Sequence, residues 1–159
     1  SMRRKKKYKR EHAPDVQYNS RAVGRFINYL MKNGKKSIAE KVMYQALDLI
    51  VKKTKQENPL MVFEKAIENA SPLMEVMSRR IGGANYQVPQ EVRQDRRFIL
   101  ASRWIIKAAR SKKGKPMAEK LAEELVMASK NEGAAIKKKQ DTHRMAEANR
   151  AFAHFAWRR

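Results

Sequence analysis

The glycine pair Gly82-Gly83 interrupts a chain in which apolar residues otherwise recur mostly at helical spacing. Glycine adopts positive φ angles at little cost, so the pair predicts a tight turn between two antiparallel strands. The chain is therefore expected to carry a β-hairpin within a helical fold. The predicted cross-strand pairs are Arg79 with Tyr86, Arg80 with Asn85, Ser78 with Gln87, and Met77 with Val88.

The predicted hairpin has polar and charged side chains that a core element would not need. A lone two-stranded ribbon buries too little apolar surface to serve as a core. Its arginines lie beside a tyrosine ring and the amides of Asn85 and Gln87, and such groups contact phosphates and stack on bases. The hairpin is therefore predicted to touch nucleic acid, and an ordinary surface hairpin is the alternative.

The charge of the chain points to the same kind of partner. Its 159 residues include 37 lysines and arginines against 16 acidic residues, a formal net charge of +21. Such an excess costs self-repulsion unless a polyanion neutralises it. Apolar runs of about 18 residues are missing, so we expect no membrane association. The lack of cysteine excludes disulfides and thiolate metal sites, and we predict neither a metal site nor a cofactor.

The first twelve residues predict a disordered basic arm. Seven of the first ten residues are lysine or arginine, a composition that cannot form a core. We expect this arm to run along nucleic-acid phosphates, while a solvated tail or an import-like patch is the alternative. The basic residues of the arm are Arg3, Arg4, Lys5, Lys6, Lys7, Lys9 and Arg10.

Residues 13–159 are predicted to form a single domain, mainly α. Caps and apolar periodicity indicate a single bundle of about six helices, with a projecting two-stranded β-hairpin at about 73–89 between helices three and four. Asn19 and Ser20 are predicted to start the first helix, and Asn58 with Pro59 the third; Ser37 with Glu40 has the spacing of a capping box. Ile38 is expected on the buried face of the second helix, and Pro89 at the end of the second strand.

The fourth helix, from about Val92 to Arg110, is predicted to carry a basic stripe. Apart from Asp95, the stripe lacks acidic partners at i+4, so it is expected to face phosphates rather than to form a salt-bridged solvated surface. The glutamates of the third and fifth helices, including Glu123 and Glu124, make those helices acidic. The predicted stripe and its continuation comprise Arg93, Arg96, Arg97, Arg103, Lys107, Arg110, Lys112, Lys113 and Lys115.

The residue pattern contains no motif that indicates an enzyme. The Gly-Lys-Lys-Ser segment at 34–37 lacks the first glycine of a phosphate-binding loop, which would fall at Tyr29. The histidines are scattered, and Asp141 and His143 at i and i+2 do not share a helix face. We expect Asp141 to be a helix cap and His143 to be packed or to face a phosphate, and we predict no catalytic residues.

Four segments give the chain a family resemblance. In order along the chain they read NSRAVGRFINYLMKNGKKSIAEK, SRRIGGANYQVP, RRFILASRWI and HRMAEANRAFAHF. Together they resemble the bacterial type of small-subunit ribosomal protein seven, the universal small-subunit protein seven family. The resemblance extends from about Arg10 to Trp157.

The resemblance implies a non-catalytic, cytoplasmic ribosomal protein. Family members bind the 3′ major domain of small-subunit rRNA, nucleate assembly of the head and place the hairpin near the exit-site tRNA. The eleventh small-subunit protein is the implied neighbour of the C-terminal part. Besides the arm, implied RNA contacts are Lys35, Lys36, Arg79, Arg80, Asn85, Tyr86, Gln87, Arg96, Arg97, Arg103 and Arg144.

One alternative is an architectural DNA-binding protein with a β-ribbon arm. Such proteins insert an apolar wedge from the tip of the ribbon into the minor groove, and Ile81 is the candidate wedge. They usually act as symmetric dimers. Preference for duplex DNA over structured RNA would favour this alternative.

Overall fold

The structure, a computed structural model, describes residues 11–157. The basic residues Arg3 to Arg10 of the predicted arm therefore lie outside the described residues. Within the described part the chain is mainly α-helical, with one two-stranded antiparallel sheet, and the predicted fold class is confirmed. The elements are α1 (Arg21–Leu30), α2 (Lys36–Thr54), α3 (Pro59–Ala70), β1 (Met74–Ile81), β2 (Ala84–Glu91), α4 (Gln94–Ser111), α5 (Met117–Ser129), α6 (Ala134–Ala148) and a C-terminal 3-10 helix (Arg150–Trp157).

These residues divide into two compact units, one ending at Glu40 and the other beginning at Lys41. In the first unit, Asp15 organises the turn that leads into α1. Its carboxylate accepts the backbone N–H groups of Gln17, Tyr18 and Ser20 at 3.1, 2.7 and 2.7 Å. Ser20 then caps α1 by accepting the N–H of Val23, as its sequence position predicts.

The start of α2 differs from its prediction. The helix begins at Lys36, and the carbonyl of Lys35 already accepts the N–H of Ala39 at 3.3 Å. Ser37 is therefore inside the first turn rather than at the N-cap, so the predicted capping box is wrong. Ile38 is 57% exposed rather than buried, since the buried face of α2 is centred on Met43 and Leu47.

The second unit is built on the packing of α3, α4, α5 and α6. Helix α5 lies against both α3 and α4, and α6 contacts α4 and the hairpin. The side chains of Phe63, Ile105, Leu121 and Leu125 are fully buried. Alanines line much of the remaining core and allow the helices to approach closely; they include Ala66, Ala101, Ala109, Ala122 and Ala128.

The hairpin has the predicted register, including Arg79 opposite Tyr86 and Arg80 opposite Asn85. Its second strand continues beyond Pro89 to Glu91, so the predicted strand end is wrong. Proline is tolerated there because a two-stranded ribbon has an unpaired edge on each strand. The N–H of Val92 donates to the carbonyl of Leu73 at 2.9 Å and extends the pairing by one step.

Helix α6 ends at Ala148, and a 3-10 helix from Arg150 packs against β2 and α6. The base of the hairpin is therefore covered, while the turn at Gly82-Gly83 is exposed. Within residues 11–157, helices long and apolar enough to cross a bilayer are absent.

Gly24 marks a close approach within the first unit. A Cβ at this position in α1 would lie 2.5 Å from the carbonyl oxygen of Ala13 and 3.2 Å from the nitrogen of Asp15. Ala13 and Asp15 belong to the Asp15 turn, whose backbone hydrogen bonds restrict its movement.

We expect Gly24→Ala to destabilise the protein by about 1–3 kcal/mol, because the overpacking outweighs the helix propensity gained. Urea unfolding would measure the effect. Asn28→Ala, at an exposed site of the same helix, should leave stability unchanged or raise it slightly. A Gly24→Ala protein as stable as the Asn28→Ala protein would contradict the close approach.

Candidate nucleic-acid interface

Helix α4 presents exposed cations along one face. Arg103, Lys107 and Arg110 are exposed along it, and Arg93 is exposed at its N-cap. The opposite face is buried through Ala101 and Ile105. At 1.5 Å per residue the stripe extends roughly 25 Å, long enough to meet several phosphates of a nucleic-acid backbone.

Two arginines of the predicted stripe, Arg96 and Arg97, form hydrogen bonds with residues at the base of the hairpin, where β1 begins and β2 ends. Arg96 forms a bidentate pair with Glu75 of β1, with Nε 2.6 Å from Oε1 and Nη2 3.0 Å from Oε2. Glu75 is only 7% exposed, and its hydrogen bonds raise the pKa of Arg96. Arg97 donates from Nε to the carbonyl of Val92 at 2.8 Å. Together these contacts join the hairpin to α4.

The hairpin residues fall into an exposed group and a partly covered group. Arg80, Asn85 and Gln87 are exposed. Tyr86 instead lies against the C-terminal 3-10 helix, with its ring centroid 4.9 Å from that of Phe155. The Arg79 guanidinium donates to the Phe155 carbonyl from the same side of the ribbon. The structure thus brings the predicted hairpin residues together and gives two of them partners in the chain itself.

The lysines after α4 meet glutamates of α5. Lys115 forms an ion pair with Glu123, and this hydrogen bond is the main reason that the pKa of Glu123 is lowered. Lys112 Nζ lies 3.6 Å from Glu123 Oε2 and 3.4 Å from Glu124 Oε2. Lys113 is exposed. Lys112 and Lys115 therefore have intramolecular partners.

Glu124, one of the glutamates that make α5 acidic, is a buried structural carboxylate. Its exposure is 0%, and Oε1 accepts the N–H of Ala135 at 3.1 Å in the first turn of α6. Gly133, just before α6, adopts a φ of 96°, which favours glycine, and a Cβ there would lie 2.9 Å from the same oxygen. Glu124 therefore caps α6 from the neighbouring helix.

On helix α6, Asp141 and Arg144 pair with each other, while His143 contacts another element. Asp141 lies inside the helix, so its predicted role as a cap is wrong; its Oδ1 is 2.6 Å from Arg144 Nη2. His143 is packed, and its Nε2 accepts the N–H of Leu73 at 2.9 Å. Burial and nearby Lys139 lower the pKa of His143.

The turn between α1 and α2 lies in the first unit. Lys35 and Lys36 are exposed there. Asn33 and Gly34 adopt φ angles of 54° and 70° and reverse the chain. RNA contact by these lysines remains a prediction, as it does for the other basic residues.

A family model described as Ribosomal protein S7p/S5e matches residues 2–150. The chain belongs to this family. Small ribosomal subunit protein uS7 of Thermotoga maritima is 57% identical over 156 residues, which cover 98% of this chain and 100% of the relative. The protein of the same name from Thermosipho africanus is 58% identical over 156 residues, with the same coverage of both chains. The one from Desulfotalea psychrophila is 56% identical over 155 residues, which cover 98% of this chain and 99% of the relative. The resemblance found in the four sequence segments is confirmed.

Glu123 and Glu124 form a matched pair for testing the buried cap, because they are chemically identical neighbours in different environments. We expect Glu124→Ala to lower the free energy of unfolding by about 2–3 kcal/mol, since Ala135 and Lys112 lose a charged partner. Glu123→Ala should cost less than about 1 kcal/mol, as is usual for a partly exposed ion pair. Equal losses for both variants in urea unfolding would contradict this assignment.

His143 should make stability depend on pH. Its folded-state pKa lies below the ordinary value of roughly 6.5, so the unfolded chain binds more protons as the pH falls. Stability should therefore be complete above that value and decrease toward pH 5. The urea midpoint is compared above pH ~6.5 and near pH 5, and His143→Gln should show a smaller decrease than the wild type. His154→Gln, on an exposed histidine, should retain the wild-type decrease; the same pH dependence in both variants would refute the role of His143.

Proposed function

We propose that this protein is a structural constituent of the small ribosomal subunit that binds rRNA directly and without catalysis. The observation that carries this proposal is the exposed cationic face of α4, joined to the basic hairpin by the Glu75–Arg96 pair. Its membership of a ribosomal protein family supports the same role. The names of its relatives place them in the small ribosomal subunit.

The proposed mechanism is electrostatic capture followed by recognition of shape. Phosphates provide most of the attraction, and folded RNA holds them at defined positions. A helical body with packed alanine-rich interfaces can hold Arg103, Lys107 and Arg110 at fixed separations along α4. Binding then depends on the three-dimensional arrangement of the phosphates more than on base identity.

The finer assignment follows the family resemblance. The rRNA target is the 3′ major domain, and binding there nucleates assembly of the subunit head in the cytoplasm. The hairpin lies near the exit-site tRNA, and the eleventh small-subunit protein is the neighbour of the C-terminal part. Exposed Arg80, Asn85 and Gln87 support the hairpin assignment, because their donors are accessible to RNA.

The direct test is binding to a transcribed 3′ major domain at near-physiological salt, with excess tRNA and duplex DNA as competitors. Saturable binding that survives both competitors supports the proposal. Equal competition by every polyanion would contradict it. Stronger binding to duplex DNA would instead favour the architectural DNA-binding alternative.

Charge-matched variants can locate the interface. Arg80→Gln with Lys107→Gln removes two exposed positive charges from the proposed surface, while Lys52→Gln with Lys65→Gln removes two exposed charges elsewhere. If both residues of the first variant contact phosphates, the slope of log affinity against log salt should fall by roughly 1.4 to 1.8. The second variant should change the slope little. Equal changes in filter binding would show that net charge, rather than this surface, determines binding.

A further inference from the structure

The C-terminal 3-10 helix covers one side of the hairpin. The ring of Tyr86 lies 4.9 Å from that of Phe155 and 5.3 Å from that of Phe152, measured between centroids. The guanidinium of Arg79, the cross-strand partner of Tyr86, donates to the carbonyl oxygen of Phe155. One short segment therefore contacts both an arginine and an aromatic ring of the ribbon.

Arg79 and Tyr86 carry the kinds of groups that bind RNA. Guanidinium groups form charge-assisted hydrogen bonds with phosphate oxygens, and aromatic rings stack on unpaired bases. On this side of the ribbon the chain supplies a carbonyl oxygen where a phosphate oxygen could bind, and phenylalanine rings where bases could stack. RNA and residues 150–157 would therefore compete for the same two side chains.

Residues 150–157 are attached in a way that allows them to be displaced from the ribbon. It is a 3-10 helix, whose hydrogen-bond geometry is poorer than that of an α-helix. It begins after the end of α6, where the N–H of Asn149 is shared between the carbonyls of Met145 and Ala146 at 3.2 and 3.3 Å. Ala151, Ala153 and His154 are exposed, so much of its surface is not packed.

We propose that residues 150–157 act as a strap, which covers Arg79 and Tyr86 in the free protein and is displaced when RNA binds the hairpin. This inference rests on the proposed rRNA-binding function and adds a form of regulation to it. The strap protects the apolar side of the ribbon before assembly. RNA contact through Arg80 and Gln87 can begin while the strap is still in place.

The first test loosens the strap. Phe152→Ala with Phe155→Ala should tighten binding to a transcribed 3′ major-domain fragment by on the order of tenfold, because RNA no longer displaces the two ring contacts. Met145→Ala, which removes an exposed apolar side chain from α6, should leave the affinity unchanged. The gain should disappear when Arg79→Ala and Tyr86→Ala are also present. Weaker binding by the Phe152→Ala, Phe155→Ala protein would overturn the proposal.

The second test uses the unmodified chain and does not depend on how the variants fold. Hydrogen–deuterium exchange is measured in the free protein and with the same RNA fragment bound. We expect exchange to increase in residues 150–157 on binding, while β1 and β2 keep or gain protection. Greater protection of residues 150–157 in the complex would refute displacement.

The two proposals can fail separately. If the wild-type chain does not bind the fragment specifically, the rRNA-binding proposal fails. If it binds specifically but the strap variants bind no more tightly and residues 150–157 remain protected, the strap proposal alone fails.

Discussion

The ion pair between Glu75 and Arg96 determines how the hairpin is held on the helical body. Glu75 leaves water when β1 packs, and a buried carboxylate without a partner would cost about 3 kcal/mol or more. Arg96 supplies two hydrogen bonds at 2.6 and 3.0 Å from the first turns of α4. Because Arg97 also bonds to the carbonyl of Val92, the ribbon and the cationic helix are fixed to each other at two points.

The distribution of charge explains how so basic a chain can fold. Part of the positive charge is neutralised by acidic side chains of the same chain. Lys112 pairs with Glu123 and buried Glu124, and Lys115 pairs with Glu123. The exposed cations of α4 lie on the surface that we propose for RNA binding. Total charge therefore overestimates the positive charge that an external polyanion would meet.

Local patterns predicted most of the fold. Apolar spacing and caps such as Ser20 and Asn58 placed helices correctly, and Gly82-Gly83 predicted the hairpin register. The errors arose at helix boundaries. Helix α2 begins at Lys36 and α6 at Ala134, so Ser37 and Asp141 lie inside helices rather than at their N-caps.

The sequence by itself determined the helical class, the hairpin, the basic character of α4 and the family, because periodicity, turn residues and motifs are local properties. Only the tertiary structure decided which side chains are already engaged. Arg96 meets Glu75 across 21 positions, and Arg79 meets Phe155 across 76. Such pairs depend on how the packed elements bring distant residues together, and the spacing of residues along one element carries no information about them.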